Sequence, residues 1–276
     1  MRTLLVIAGK EVRDGLRNRW VVATTLLLAA LALTLSFLGS APTGAVKVSP
    51  LAVTVVSLSS LTIFLLPLIA LLLSFDAIVG EIERGTMGLL LAYPVARWQV
   101  VIGKFLGHLA ILAIATVVGY GAAGATLALM GGADDPEAVA ALVAMIGSSV
   151  LLGAVFVTLG YLVSTVVRDR AAAGGVAVGL WLLFVLLYDM ALLGLLVADQ
   201  GRLVGPSVLD ALLLLNPADA YRLLNLTGFA NVSQFSGMAG LSGQSGLAQP
   251  ALLAALAGWV VLPLALAVAC FHRRSV

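Results

Sequence analysis

The chain has 276 residues, of which 62% are hydrophobic and 10% are charged, and its mean hydropathy is +1.14. Soluble globular domains carry about 25% charged residues, so this composition excludes a soluble enzyme or binding domain and indicates a protein embedded in lipid. The formal net charge of +2 says little by itself, because membrane topology depends on where the basic residues lie.

Residues 1–19 predict an amphipathic helix that lies in the headgroup layer. Apolar residues recur at helical spacing, and basic residues occupy the other faces of the helix. The apolar stripe consists of Leu5, Ala8, Val12, Leu16 and Trp20. A simple cytoplasmic extension of the first membrane span is the alternative interpretation.

Six long apolar runs follow this segment and predict an all-α membrane protein with six transmembrane helices. Each run is long enough for an α-helix to cross about 30 Å of hydrocarbon, which takes about 20 residues. We expect a single transmembrane domain over 1–276, with a periplasmic loop at 198–250. The runs are 20–38, 51–75, 105–130, 138–167, 171–197 and 251–271.

The basic residues predict the orientation of the chain in the membrane. With six crossings, all 15 of them except Lys47, Arg202 and Arg222 fall on the side that carries the two termini. Cytoplasmic loops carry an excess of Lys and Arg, so we expect both termini in the cytoplasm.

The break between the second and third runs, at 76–104, has a pattern beyond simple polarity. Glu81, Glu83 and Arg84 cluster in one turn, Gly85-Thr86 interrupts the pattern, and an apolar run leads to a proline. We interpret the segment as a short helix that is presented to a partner. The alternative is a solvated loop whose charges only satisfy topology.

These motifs resemble those of the permease subunits of ABC-2 type transporters. The resemblance implies the ABC-2 (type V exporter-like) architecture, with residues 1–19 as the elbow helix, a second copy of the chain and two cytoplasmic ATPase subunits. It assigns Glu81, Glu83, Arg84, Gly85 and Thr86 to a first coupling helix, and Arg168, Asp169 and Arg170 to a second ATPase contact. The matching residues are Lys10 to Arg13, Phe75, Glu81, Glu83 to Thr86, Leu89 to Leu91, Pro94, Arg97, Gly103 and Lys104.

More narrowly, the length, the six spans and the tract at 215–222 resemble the permease of the nitrous oxide reductase maturation system of denitrifying bacteria. This implies the bacterial inner membrane, a NosF-like ATPase and a NosD-like periplasmic partner that handles copper. The cargo stays open among copper, a sulfur species, a lipid and purely mechanical work. An exporter permease for another substrate and a passive anchor for a periplasmic complex are the alternatives.

The sequence predicts that ATP and magnesium bind to another chain. A P-loop requires Gly-x-x-x-x-Gly-Lys-Ser/Thr, and the residues after Lys10, Lys47 and Lys104 are Glu, Val and Phe. We expect no cofactor, metal or nucleic acid on this chain. With only His108 and His272 available, an intramembrane enzyme is also disfavoured.

Asp189, beside Tyr188, is an acidic residue deep within an apolar run. An ionisable group at that depth marks either a paired contact or a transport pathway. Two interpretations stay open. Asp189 either has a structural role, paired with the Tyr188 hydroxyl, with another helix or near the outer interface, or it takes part in the translocation path.

The loop at 198–250 contains more apolar material than a linker requires. We expect short interfacial helices within 199–230 that form a docking platform for the periplasmic partner. The predicted anchors are Leu213, Tyr221 and Phe229, and the Gly/Ser-rich tract at 236–246 is the predicted spacer.

Overall fold

The computed structural model describes residues 2–17, 23, 26–27, 30–34, 50–129, 136–199, 204–227 and 247–274. The predicted first span at 20–38 lies largely outside the described residues, as do Phe229 and the tract at 236–246. Within the described ranges every regular element is a helix, which confirms the all-α prediction.

Five described helices are long and apolar enough to cross a membrane. They correspond to the last five apolar runs, because a helix allows each apolar run to satisfy its backbone polar groups internally. We number them α2 (Pro50–Ser74), α5 (Arg97–Leu129), α6 (Pro136–Val166), α7 (Arg170–Asp199) and α10 (Gln249–Arg273).

Five shorter helices are also described, besides helical residues within 23–34. They are α1 (Arg2–Arg17), α3 (Val79–Glu83), α4 (Thr86–Leu91), α8 (Pro206–Leu214) and α9 (Pro217–Thr227). The predicted helix at 1–19 and the predicted short helices within 199–230 are therefore present.

Helix α6 forms the centre of the bundle, and α2 and α10 pack along it. Most of its side chains between Ala138 and Thr165 are buried. At Gly160 the hydroxyl of Ser74 occupies the space that a Cβ atom would need, so α2 and α6 approach closely at that point. Small residues permit such approach between membrane helices, where packing rather than water exclusion drives association.

Helix α5 begins earlier than the apolar run indicates. The run begins at 105, but the helix begins at Arg97, soon after Pro94. The amide of Ala96 donates to Gln99 Oε1 at 3.1 Å, which satisfies a backbone donor at the helix start. The first turns include Arg97, Gln99 and Lys104 at the end of the bundle, and an apolar-run criterion therefore misses them.

Several segments meet at one end of the bundle. We call this the basic end, and it comprises α1, the segment at 76–104, the turn at 167–169 and the end of α10. Arg97 Nη1 donates to the carbonyls of Phe271, at 2.9 Å, and Arg274, and Arg274 Nη1 donates to the carbonyls of Ser164 and Thr165, at 2.9 Å each. Because the last carbonyls of a helix lack partners within it, these two arginines cap α10 and α6.

Candidate functional site

The coupling segment predicted at 81–86 is anchored on the central helix. The hydroxyl of Ser164 accepts from the amides of Ile78 and Val79, at 2.9 and 3.0 Å, where α3 begins. The chain then turns at Gly85, whose φ of 70° is a conformation that residues with a Cβ rarely adopt. This turn separates α3 from α4 and leaves the tip of the segment exposed.

The two predicted ATPase contacts lie side by side. Glu83 Oε1 accepts from the backbone amide of Arg170 at 2.7 Å, and the Arg170 guanidinium lies 3.1 Å from Asp76. Asp169 caps the start of α7 by accepting from the amide of Ala172 at 2.8 Å. The two segments therefore form one composite surface, although many residues separate them in the sequence.

An open groove of about 560 Å³ runs between the two segments. Its apolar floor and charged rim can receive a side chain from a partner. It is lined by Phe75, Glu83, Asp169, Arg170, Ala171 and Gly174. The side chains of Arg84, Thr86 and Arg168 are exposed beside it.

Glu81 differs from the other residues of the predicted contact. Its side chain is only 14% exposed, and its Oε1 atom lies 2.7 Å from Lys104 Nζ. Glu81 therefore faces the interior of the protein and supports the coupling segment from behind. Its neighbours Glu83 and Arg84 point outward.

Lys104 is the centre of a buried charged cluster. Its side chain is 3% exposed, and its ammonium also lies 2.8 Å from Glu11 Oε1 of the elbow helix α1. The other oxygen of Glu11 lies 3.6 Å from His108 Nε2, and His108 Nδ1 shares a 2.8 Å hydrogen bond with the Tyr161 hydroxyl. Buried charges are tolerated when they are paired in this way.

The charge pairing alters the acidity of Glu11. Burial raises its pKa, but the Lys104 ammonium, the hydrogen bond from that ammonium and His108 outweigh burial. The net effect holds the pKa of Glu11 below its usual range, so Glu11 is a carboxylate at neutral pH.

Helix α9 lies inside the bundle, which corrects the predicted role of Tyr221 as a docking anchor. Tyr221 is fully buried, and its hydroxyl shares a 2.9 Å hydrogen bond with Ser149 of α6. Asn225 Oδ1 accepts from Ser148 at 3.0 Å. Tyr221 is therefore a packing residue in this structure, while Leu213 of α8 is half-buried against the core.

Asp189 pairs with α9 and not with Tyr188. Arg222 donates to Asp189 at 2.6 Å and to Asp219 at 2.5 Å, so one guanidinium serves two carboxylates. The Tyr188 hydroxyl instead donates to the Leu212 carbonyl at 2.7 Å. In this structure Asp189 therefore makes a contact between two helices, which is one of the structural roles considered for it.

A π-helical turn at Leu183–Leu187 in α7 provides a further attachment for α9. Asn216 Nδ2 donates to the Phe184 carbonyl at 3.0 Å and to Asp219 Oδ2 at 2.9 Å. A π turn shifts the backbone hydrogen-bonding register, and side chains can satisfy the carbonyls that it frees. Asn216 does so here and also orients Asp219.

Sequence reasoning missed both polar clusters because their members come from separate helices. Lys104 lies 93 positions from Glu11, and Arg222 lies 33 positions from Asp189. The available signal for the first cluster was that Glu11, Glu81 and Lys104 all belong to the family-like motifs. Among the described residues, no group of three or more His, Cys, Asp or Glu side chains could hold a metal ion.

Comparison with known proteins gives the family. A sequence model of the ABC-2 family transporter proteins matches residues 5–276. A protein from Pseudomonas aeruginosa named probable ABC transporter permease protein NosY is 48% identical over 277 residues, covering 100% of both chains. A protein of the same name from Stutzerimonas stutzeri is 45% identical over 269 residues, covering 97% of each. The predicted resemblance is confirmed, and the chain belongs to the ABC-2 family as a multi-pass membrane permease of an ABC transporter.

Proposed function

We propose that this permease serves the maturation of the copper sites of nitrous oxide reductase. It couples ATP hydrolysis by a NosF-like cytoplasmic ATPase to transport or to mechanical work across the bacterial inner membrane. The observation that carries this proposal is the full-length identity of 48% and 45% to two proteins named NosY.

The composite surface at the basic end supports an ATPase contact there. It presents Glu83, Arg84, Gly85 and Thr86 beside Arg168, Asp169 and Arg170, with the groove between the two segments. Glu81 takes an indirect part, because its carboxylate is bonded to Lys104. With this surface towards the ATPase, both termini are cytoplasmic.

A second copy of the chain and a NosD-like periplasmic protein complete the proposed assembly. Helix α7 leaves most of its side chains exposed, including Met190, Leu193 and Val197, which offers apolar surface for lipid and for the second copy. For the periplasmic protein we retain Leu213 and Phe229 as contacts. Tyr221 contributes indirectly, since its burial holds α9 in the bundle.

Complementation of a denitrifying host that lacks its own permease tests the function. We expect the chain to restore the copper content and the visible spectrum of nitrous oxide reductase. Tagged chain from the same membranes should copurify with an ATPase subunit. A reductase that stays without copper while the chain is inserted and bound to its ATPase would contradict the proposal.

Charge reversal tests the composite surface. Exposed single charges contribute at most about 1 kcal/mol each, so the triple variant Glu83→Lys, Arg84→Glu, Arg170→Glu is the appropriate test. We expect its affinity for the ATPase to fall by about tenfold or more, because the small contributions of the three charges add up. The control is the conservative triple variant Glu83→Asp, Arg84→Lys, Arg170→Lys, which should bind normally. Native binding by the reversed variant would exclude this surface.

A further inference from the structure

We propose that Lys104 is a positioning residue for coupling, which joins the elbow helix α1 to the coupling segment α3 so that the two respond together to the ATPase. This inference rests on the proposed ATPase contact at α3. It adds an internal connection between two surface elements, made by a residue that does not reach the surface.

The first half of the connection is the tight packing of α1 on α5. Ile7 of α1 is buried against Gly103, where an added Cβ would lie 2.9 Å from the Ile7 Cβ. One turn further along α5, a Cβ on Gly107 would lie 3.0 Å from the Ala8 carbonyl oxygen. These two glycines let the backbones approach, and the approach brings Glu11 within reach of Lys104.

The second half is the bond from Lys104 to Glu81. Helix α3 packs on α4, α6 and α7, whereas α1 packs on α5. Lys104 Nζ lies 2.8 Å from Glu11 and 2.7 Å from Glu81, so a single ammonium contacts both groups of helices. At 3% exposure of the lysine, little water is available to replace either contact.

The geometry resists separation of the two helices. If α3 moved away from Lys104, Glu81 would be left partly buried without its cation, and desolvation makes such a state unfavourable. On its other side Glu11 lies 3.6 Å from His108, whose ring shares a hydrogen bond with Tyr161 of α6. A displacement of α3 therefore pulls on Lys104 and, through it, on α1.

The test compares amide hydrogen exchange in the full transporter complex before and after the ATPase is trapped with ATP and vanadate. In the native complex we expect trapping to change exchange in both 79–92 and 2–17. In Lys104→Met the change in exchange at 79–92 should persist. The change in exchange at 2–17 should fall by about fivefold or more, which is the lower end of typical coupling between two sites. Lys104→Arg, which keeps the charge, should restore it.

Lys10→Met is the matched control. Lys10 is 60% exposed and lies 3.5 Å from the same Glu11, so its loss removes a lysine without removing the connection. We expect a native response of 2–17. Should Lys104→Met fail to insert, Glu81→Met takes its place, since it removes the oxygen that accepts from Lys104, leaves the Lys104–Glu11 pair intact and should abolish the response of 2–17 alone.

The outcomes distinguish this inference from the proposed function. A native-size response of 2–17 in Lys104→Met or Glu81→Met overturns the connection, and so does a native complex in which only 79–92 responds. In both cases the ATPase contact itself stands. Failure of the chain to bind an ATPase would instead remove the proposed function.

Discussion

At the residue scale, the pairing of two aspartates with one arginine has a consequence for pH. Arg222 balances only one negative charge, and Asp219 is 2% exposed. Burial and the Asp189 charge raise the pKa of Asp219 from 3.8 to about 7, although Arg222 and Asn216 act in the opposite direction. Tyr188 also interacts electrostatically with Asp219. A proton is therefore held near this pair under mildly acidic conditions.

We predict that stability falls as the pH rises from about 4 to about 7. In this window the folded chain holds a proton on Asp219 that the unfolded chain lacks, so folding is linked to proton uptake. Asp219→Asn is neutral at every pH and should lose this dependence. At pH 8 the variant should unfold at a higher temperature than the native chain, as measured by tryptophan fluorescence in detergent.

Asp210→Asn is the control for this experiment. Asp210 lies on α8, the helix that precedes α9. The variant should keep the native pH dependence. Equal pH profiles for Asp219→Asn and the native chain would mean that Asp219 is ionised throughout.

At the element scale, sequence periodicity and run length predicted which of the described segments are helical but did not predict how α9 packs. The lengths of the apolar runs identify α2, α5, α6, α7 and α10, because a membrane span must satisfy its own backbone. Helix α9 has an amphipathic pattern, which predicts an interfacial position. Its polar side has internal partners, namely Ser148, Ser149 and Asp189, and no local pattern reveals them.

The sequence likewise predicted only part of the candidate ATPase-contact site. The tip of the coupling segment is polar and follows a helix, so the local sequence at Glu83 and Arg84 predicts that the tip is exposed. Glu81 lies in the same cluster, and its inward direction depends on Lys104, which is 23 positions away. Motif residues therefore divide into exposed and internal roles only once the helices are packed.

The docking of the elbow helix gives a second prediction at this scale. A Cβ on Gly107 would lie 3.0 Å from the backbone oxygen of Ala8 and would also clash with Glu11. Gly107→Ala should therefore push α1 away from α5, at a cost of about 1–3 kcal/mol. We expect faster proteolysis within 2–17 in nanodiscs.

Gly121→Ala provides the matched control, because it lies on the same helix with nothing within 4 Å of the added atom. It should leave proteolysis unchanged. A native digestion pattern for Gly107→Ala would show that α1 can shift without loss of its packing.

At the scale of the whole molecule, the two halves of the bundle use different polar clusters. The basic end joins α1, α3 and α5 through Lys104 and anchors α3 on α6 through Ser164. Arg97 and Arg274 cap helix ends there. The opposite half holds α9 through Arg222 and Tyr221. The polar residues of a largely apolar chain are thus concentrated where a helix must be fixed to its neighbours.

The orientation of these halves across the membrane follows from the same distribution of charge. We predict that the basic end is cytoplasmic, since it carries most of the basic residues. Single cysteines in a Cys270→Ala background test this with a maleimide that does not cross membranes. Arg84→Cys lies at the exposed tip of the coupling segment, and Leu215→Cys lies in the turn before α9, where Leu215 is 57% exposed.

In spheroplasts, with the outer membrane removed, we expect the reagent to label Leu215→Cys and to leave Arg84→Cys unlabelled until the cells are lysed. The physical reason is that the short loops of the basic end resist translocation, whereas the weakly charged loop before α10 does not. The Cys270→Ala chain without an added cysteine gives the background. Labelling of Arg84→Cys before lysis would invert the orientation, and it would also remove the composite surface from the reach of a cytoplasmic ATPase.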